Sequence, residues 1–242
     1  MVMPLVLVPG LMCDGATWTP MLPALQGSGR VGSIMIIDHG RCDSLKAMAE
    51  QLLAHAPPRF ALAGHSMGGR VALEVCRLAP ERVSHLAVLD TGHAPLAAGE
   101  PGLTEKAKRQ ALLDVARTQG VRAMAAEWVK GMVHPDRLGD QAFLGIILDM
   151  FERKSADHFA RQIKALLDRP DGGPVLRALR MPTLILTGRQ DSWANVDQHL
   201  AMQVIAAPEA GAVLEVIEDS GHMVPMERPA ELAQSLLRWL AR

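Results

Sequence analysis

The chain has 242 residues with 25 basic and 26 acidic side chains, net charge −1, so neither a nucleic-acid-binding stripe nor an acidic disordered tail is indicated. Apolar residues make up 49%, aromatics only 3% and Tyr is absent, so the core must rest on Leu, Val, Ile, Ala and fourteen Met, without need of a disulfide at this length. The three cysteines, Cys13, Cys42 and Cys76, lack CxxC or metal-ligand spacing. No apolar run reaches the roughly 18–20 residues of a membrane span, and the expected location is cytoplasmic.

The apolar start, Met1 to Val8, has no basic segment ahead of it and runs into Pro9-Gly10, which reads as a strand and not a signal peptide. Further along, short apolar runs alternate with helical periodicities. The candidate strands are Leu5–Val8, Ile34–Asp38, Phe60–Ala63, Leu86–Leu89, Thr183–Thr187 and Val213–Ile217. Near-continuous apolar runs of this kind suit a parallel sheet covered on both faces. Helical patterns fall at Thr17–Leu25, Ser44–His55, Met67–Ala79, Asn195–Ala206 and Ala230–Leu240. The alternation implies a doubly wound α/β sheet.

From about Gly92 to Arg180 the rhythm changes. Only helical patterns occur there, at Thr104–Thr118, Val121–Val133, Gln141–Arg153 and Asp157–Leu167. An insertion between the fourth and fifth strands leaves the sheet at its carboxyl edge, where ligands bind in such folds. Residues 92–180 are therefore expected to form a helical cap on a core of residues 1–91 and 181–242. Its joints would lie near Gly92–Gly102 and Pro170–Pro174.

The strongest chemical signal is Gly64-His65-Ser66-Met67-Gly68-Gly69, placed after an apolar strand and opening a helix. A serine on so sharp a turn needs small neighbours, and the helix N-terminus directs N–H groups at a centre where negative charge develops. Val71, Val75 and Leu78 give the helix one buried face, and Pro80 ends it. Serine needs an adjacent base held by a third group. Among nine histidines, His222 in Asp219-Ser220-Gly221-His222-Met223 is placed best, just after the last strand. His65 would point sideways into the fold, and His39 and His93 follow strands and could line a pocket. For the acid, Asp191 and Asp90 both follow strands and both fit the order Ser, Asp, His; Asp191 is favoured, with Asp90 read as a turn or capping carboxylate.

An oxyanion needs two fixed donors. The backbone N–H of Met67 is one candidate, and that of Leu11, in the loop Pro9-Gly10-Leu11-Met12-Cys13-Asp14, is the other. Asp14 would cap the helix containing Trp18. Met12, Trp128, Trp193 and Met223 are candidate pocket residues, with core packing the competing reading. Gly27-Ser-Gly29-Arg-Val-Gly32 fits GxGxxG, but it precedes a strand, so no dinucleotide site follows. No cofactor or metal is implied.

With these motifs the chain resembles the α/β-hydrolase superfamily over essentially its whole length, in particular its small capped esterases, lactonases and carbon–carbon bond hydrolases. The resemblance implies Ser66 as nucleophile, Asp191 as acid and His222 as base. Two departures stand out. The family's usual His-Gly in the oxyanion loop is Pro9-Gly10 here, and its first antiparallel hairpin is missing, leaving six strands, mostly or wholly parallel. The expected activity is hydrolysis of a carboxylic ester of a small or medium, largely uncharged substrate. Lactone, thioester or carbon–carbon cleavage remain open, as does a non-catalytic receptor on the same fold.

Overall fold

The computed structural model describes residues 2–242. Six strands, β1 (Met3–Val8), β2 (Val31–Ile36), β3 (Phe60–His65), β4 (Val83–Leu89), β5 (Thr183–Gly188) and β6 (Val213–Ile217), form one sheet. Their order is β2-β1-β3-β4-β5-β6, and every neighbouring pair is parallel. The winding reverses between β1 and β3. In an open parallel sheet the loops leaving two such strands diverge and leave a crevice at their carboxyl ends. The loops after β1 and β3 hold Leu11 and Ser66.

The helices are α1 (Leu22–Gln26), α2 (Leu45–His55), α3 (Met67–Leu78), α4 (Glu100–Thr118), α5 (Val121–Trp128), α6 (Gln141–Glu152), α7 (Ala156–Leu167), α8 (Gly173–Ala178), α9 (Val196–Ile205), α10 (Val224–Glu227) and α11 (Pro229–Trp239). Side-chain caps fix several starts: Ser44 accepts from Ala47 N, Asp140 from Phe143 N, and Ser155 and Asn195 close capping boxes. Alternate residues of the strands feed two apolar layers. Leu5, Leu7, Ala61 and Ala63 pack with Trp18, Leu236 and Trp239 on one face. Val6, Val8, Phe60 and Leu62 pack on the other. This second layer continues without a break into Met124, Ile147, Phe151 and Phe159 of the helical segment between β4 and β5.

Several expectations shift in detail. The helix expected over Thr17–Leu25 is two 3-10 turns, Gly15–Thr17 and Thr19–Met21, followed by the short α1. Pro20 and Pro23 lack the N–H groups that a continuous helix would use. Asp14 caps only the first of these turns, accepting from Ala16 N at 2.8 Å. The edge strand β2 runs Val31–Ile36, three residues earlier at its start than its apolar pattern suggests. α4 begins at Glu100, after Gly99 in the left-handed region at φ 71°, so part of the expected joint is helical. The pattern over Val121–Val133 gives an α-helix to Trp128 and a 3-10 turn over Val129–Gly131. α8 begins at the end of the second expected joint, with Pro174 in its first turn. On α3, Val71 and Val75 are fully buried, but Leu78 is 39% exposed because nothing packs over the helix's last residue.

Candidate active site

β3 ends at His65 and α3 begins at Met67, so Ser66 alone makes the turn, at φ 55° and ψ −119°. A non-glycine residue there stores about 1–3 kcal/mol of backbone strain. The surroundings hold it in place. Ser66 N–H donates to Leu89 O at 2.8 Å, and Thr91 Oγ1 donates to Ser66 O at 2.7 Å. The neighbouring glycines answer to contact, not to dihedral angle. A Cβ on Gly64 would lie 2.2 Å from Gly68 O, and one on Gly68 would lie 2.1 Å from Val8 O.

Ser66 Oγ is 2.8 Å from His222 Nε2, across 156 residues of sequence. His222 Nδ1 is 2.8 Å from Asp191 Oδ2. The second oxygen of Asp191 accepts from Trp193 N at 2.8 Å and Ala194 N at 2.9 Å. Burial favours the neutral acid, but the His222 ring and these N–H donors together hold the Asp191 carboxyl below the usual carboxylate range. With Nδ1–H donating to Asp191, Nε2 is left to accept the serine proton.

The loop carrying His222 is fastened to the helical segment. His222 N–H donates to Met132 O at 2.7 Å. The Glu227 carboxylate accepts from His134 N at 2.6 Å and Gly221 N at 2.8 Å, with Met223 N at 3.3 Å. His65 lies beneath and also bears on this loop, its Nε2 donating to His222 O at 2.7 Å. Burial, and then the neighbouring His222 ring, push the His65 pKa down to about 3, so this ring stays neutral.

Asp90, the other candidate acid, occupies a different place. Its Oδ1 accepts from Gly188 N at 2.9 Å, while Oδ2 is 3.7 Å from His65 Nε2 and has no hydrogen-bond partner among the described residues. Burial, and then the charge of Asp191, push its carboxyl well above the usual range. It joins the end of β4 to the end of β5 and makes no hydrogen bond to His222.

Leu11 N–H and Met67 N–H, the two candidate oxyanion donors, have no hydrogen-bond partner among the described residues. Gly10 packs against the elbow, where a Cβ would lie 3.1 Å from Ser66 Cβ. Two side chains fix the Leu11 loop. His39 Nε2 donates to Pro9 O at 2.8 Å, and Gln162 of α7 accepts from Met12 N at 2.7 Å. His39 is therefore a buried anchor and does not line the cavity, whereas His93 does. Cys13, beside this loop, is buried, and burial pushes its thiol up to about 12.

Ser66 and His222 open on a cavity of about 760 Å³. Trp128, Trp193 and Met223 are on its wall. Met12 is not; its side chain is fully buried in the core, behind a backbone at φ 61°. The Trp193 ring lies 4.9 Å from the His222 ring and stacks on Trp128 at 5.4 Å, and Trp128 in turn meets Phe159 at 5.5 Å. Four of the chain's eight Trp and Phe residues thus gather beside the site once Phe151, 5.6 Å from Trp128, is included. Composition could not foretell that clustering. Gln162 and Glu227 carry no motif in the sequence, since each acts through a partner distant along the chain; His65, expected to point sideways into the fold, does so and bonds to the His222 backbone. One signal was present: Gln162 falls on the apolar face of a strongly amphipathic helix.

Among the described residues no helix is long and apolar enough to cross a membrane. The family model described as "Alpha/beta hydrolase family" matches residues 5–235. The chain is similar to the dihydrolipoyllysine-residue acetyltransferase component of the acetoin cleaving system of Pseudomonas putida. The two are 29% identical over 252 residues, covering 99% of this chain and only 64% of that protein. It is also similar to the 2-hydroxy-6-oxononadienedioate/2-hydroxy-6-oxononatrienedioate hydrolase of Klebsiella pneumoniae subsp. pneumoniae, at 29% over 201 residues, covering 82% of this chain and 67% of that protein. In three dimensions it matches the enol-lactonase from Burkholderia xenovorans LB400 with a TM-score of 0.84. That likeness, at 19% identity over 100% of this chain and 93% of the other, is one of fold. The chain belongs to the α/β-hydrolase family.

Proposed function

We propose that the protein is a serine hydrolase that cleaves a carboxylic ester through an acyl-enzyme intermediate. Ser66 Oγ attacks the acyl carbon while His222 Nε2 takes the hydroxyl proton. The resulting oxyanion accepts from Leu11 N–H and Met67 N–H, and the dipole of α3 adds to its stabilisation. Collapse breaks the ester bond, and His222 delivers the proton to the departing alcohol. A water molecule then repeats the sequence on the acyl-enzyme, freeing the acid and Ser66. Asp191 remains ionised throughout, holding the imidazole in the required tautomer and stabilising the imidazolium. Residues 92–180 serve as a cap that closes the cavity and sets its shape.

The observation that carries this reading is the continuous hydrogen-bond chain from Ser66 through His222 to Asp191, opening on a cavity beside two unpaired N–H donors. The test is a panel of nitrophenyl esters, lactones and thioesters of graded chain length. Ser66→Ala is expected to lower kcat by about 10⁴-fold or more with the melting temperature unchanged. A fluorophosphonate should label Ser66 stoichiometrically. Ester cleavage by the alanine variant at the wild-type rate would reject the scheme.

A further inference from the structure

The cavity that Ser66 opens on is not apolar throughout. Arg70, one turn beyond Ser66 on α3, Lys108 and Arg109 on α4, and Arg169 just after α7 all contribute to its wall. The three guanidinium groups converge. Arg70 Nη1 and Arg169 Nε both donate to Ala94 O, at 2.9 and 3.3 Å. Arg109 and Arg169 both bind Glu105, at 2.9 and 2.8 Å. Arg169 takes its second oxygen as well, at 2.8 Å. Glu105 is thereby engaged on both oxygens by two arginines. Among the described residues Arg70 has no carboxylate within 4 Å, and a backbone carbonyl is its sole hydrogen-bond partner.

The Arg169–Glu105 fork has a sufficient structural purpose, since it ties α4 to the end of α7. That purpose requires neither Arg70 nor Lys108. Two or more positive charges beyond what Glu105 balances therefore face the cavity. Taking a guanidinium out of water without a counter-charge is costly, and the cost is relieved when a carboxylate meets its planar fork. Arg70 is half-buried, and burial, then the neighbouring Arg169, lower its pKa, the direction expected of a guanidinium short of counter-charge.

We propose that Arg70, supported by Arg109 and Lys108, binds a carboxylate carried by the substrate, so that the preferred ester is anionic, with its charge held away from the scissile bond. This replaces the expectation of a largely uncharged substrate, and it rests on the reading of Ser66 as nucleophile. One unit of negative charge is what Arg70 lacks. The stacked Trp128–Trp193 wall would then hold the apolar part between the carboxylate and the acyl carbon.

The test compares nitrophenyl esters of straight-chain acids with their ω-carboxylated counterparts over a series of chain lengths. Wild type is expected to favour the carboxylated ester at one chain length. Arg70→Met should lower the ratio of kcat/KM for anionic over neutral ester by about tenfold or more, and Arg70→Lys should retain part of it. A ratio that Arg70→Met leaves unchanged, or a wild-type preference for the neutral ester at every length, overturns the proposal. Calorimetry with aliphatic dicarboxylates and the Ser66→Ala protein separates the two readings. Binding there that Arg70→Met abolishes, with no ester cleaved by wild type, supports the subsite and removes the esterase. Ser66-dependent cleavage with no Arg70-dependent ratio leaves the esterase and removes the subsite.

Discussion

Ser66 sits where it does because two glycines have no side chain to lose. Adding one methyl to Gly64 or Gly68 places carbon within 2.2 Å of a backbone oxygen on a neighbouring segment, and backbone cannot step aside as a long side chain can. Gly64→Ala is accordingly expected to cost several kcal/mol, at the upper end of single-residue effects, and to be read in a chemical denaturation midpoint. This part of the site was legible, because a sharp turn writes its steric needs into adjacent residues. The choice between Asp90 and Asp191 was not. Both carboxylates follow strands in the right order, and only distance tells them apart: 2.8 Å from Asp191 to His222, against a bond from Asp90 to Gly188 N. Asp191→Asn tests the difference. An amide that keeps its contacts with Trp193 N and Ala194 N turns its NH₂ toward His222 Nδ1 and forces the wrong tautomer. The loss in kcat is expected to be about 10⁴-fold with little change in stability. The matching change at Asp90 should leave the tautomer intact, since Asp90 makes no hydrogen bond to that ring.

At the scale of elements, the sheet and most helices followed from periodicity, with the exceptions falling where proline or a left-handed glycine intervenes. What periodicity could not convey is how the helical segment grips the core. Pattern reading suggested a cap joined near Gly92–Gly102 and Pro170–Pro174. In the structure α7 reaches the loop after β1 through Gln162, and the 132–134 stretch is bonded to the His222 loop directly and through Glu227. These pairs are separated by about 90 to 150 positions, so no local pattern marks them. The Gln162 bond has a chemical consequence. It holds Met12 N in a backbone turn of positive φ, directly after the proposed donor Leu11. Gln162→Leu removes the acceptor and strands a buried N–H, which is expected to cost about 1–3 kcal/mol. Because the same bond positions the Leu11 loop, kcat should fall while KM for a neutral ester moves less. Urea denaturation together with steady-state kinetics measures both. A loss of stability with an unaltered kcat would show that the loop is fixed by Gly10 and His39 alone.

For the molecule as a whole, folding encloses histidines on the active-site side of the sheet, and this governs how it responds to acid. His39, His65 and His199 are all buried, and burial is the first cause of a lowered pKa in each. The unfolded chain takes up a proton at each near the ordinary value of 6.5, whereas the folded chain refuses it, for His65 down to about 3. The stability these groups contribute is therefore complete above 6.5 and is lost as pH falls below it, for His65 at about 1.4 kcal/mol per pH unit on the way down toward 3. Asp90 works in the opposite direction. Its folded pKa is raised above the ordinary 3.8, so the folded chain keeps a proton that the unfolded chain releases, and stability declines as pH rises through that interval. Above the ordinary carboxylate range the Asp90 contribution therefore runs against that of the buried histidines. Asp90→Asn removes the offset and leaves the histidines in place. The variant is expected to lose stability on acidification more steeply than wild type, by at most about 1.4 kcal/mol per pH unit, in urea unfolding followed at several pH values from 6.5 down toward the carboxylate range. The other carboxylates titrate alike in both proteins and drop out of the difference. Equal slopes would mean that the folded His65–Asp90 pair holds no proton in that range, with Asp90 ionised beside a neutral His65.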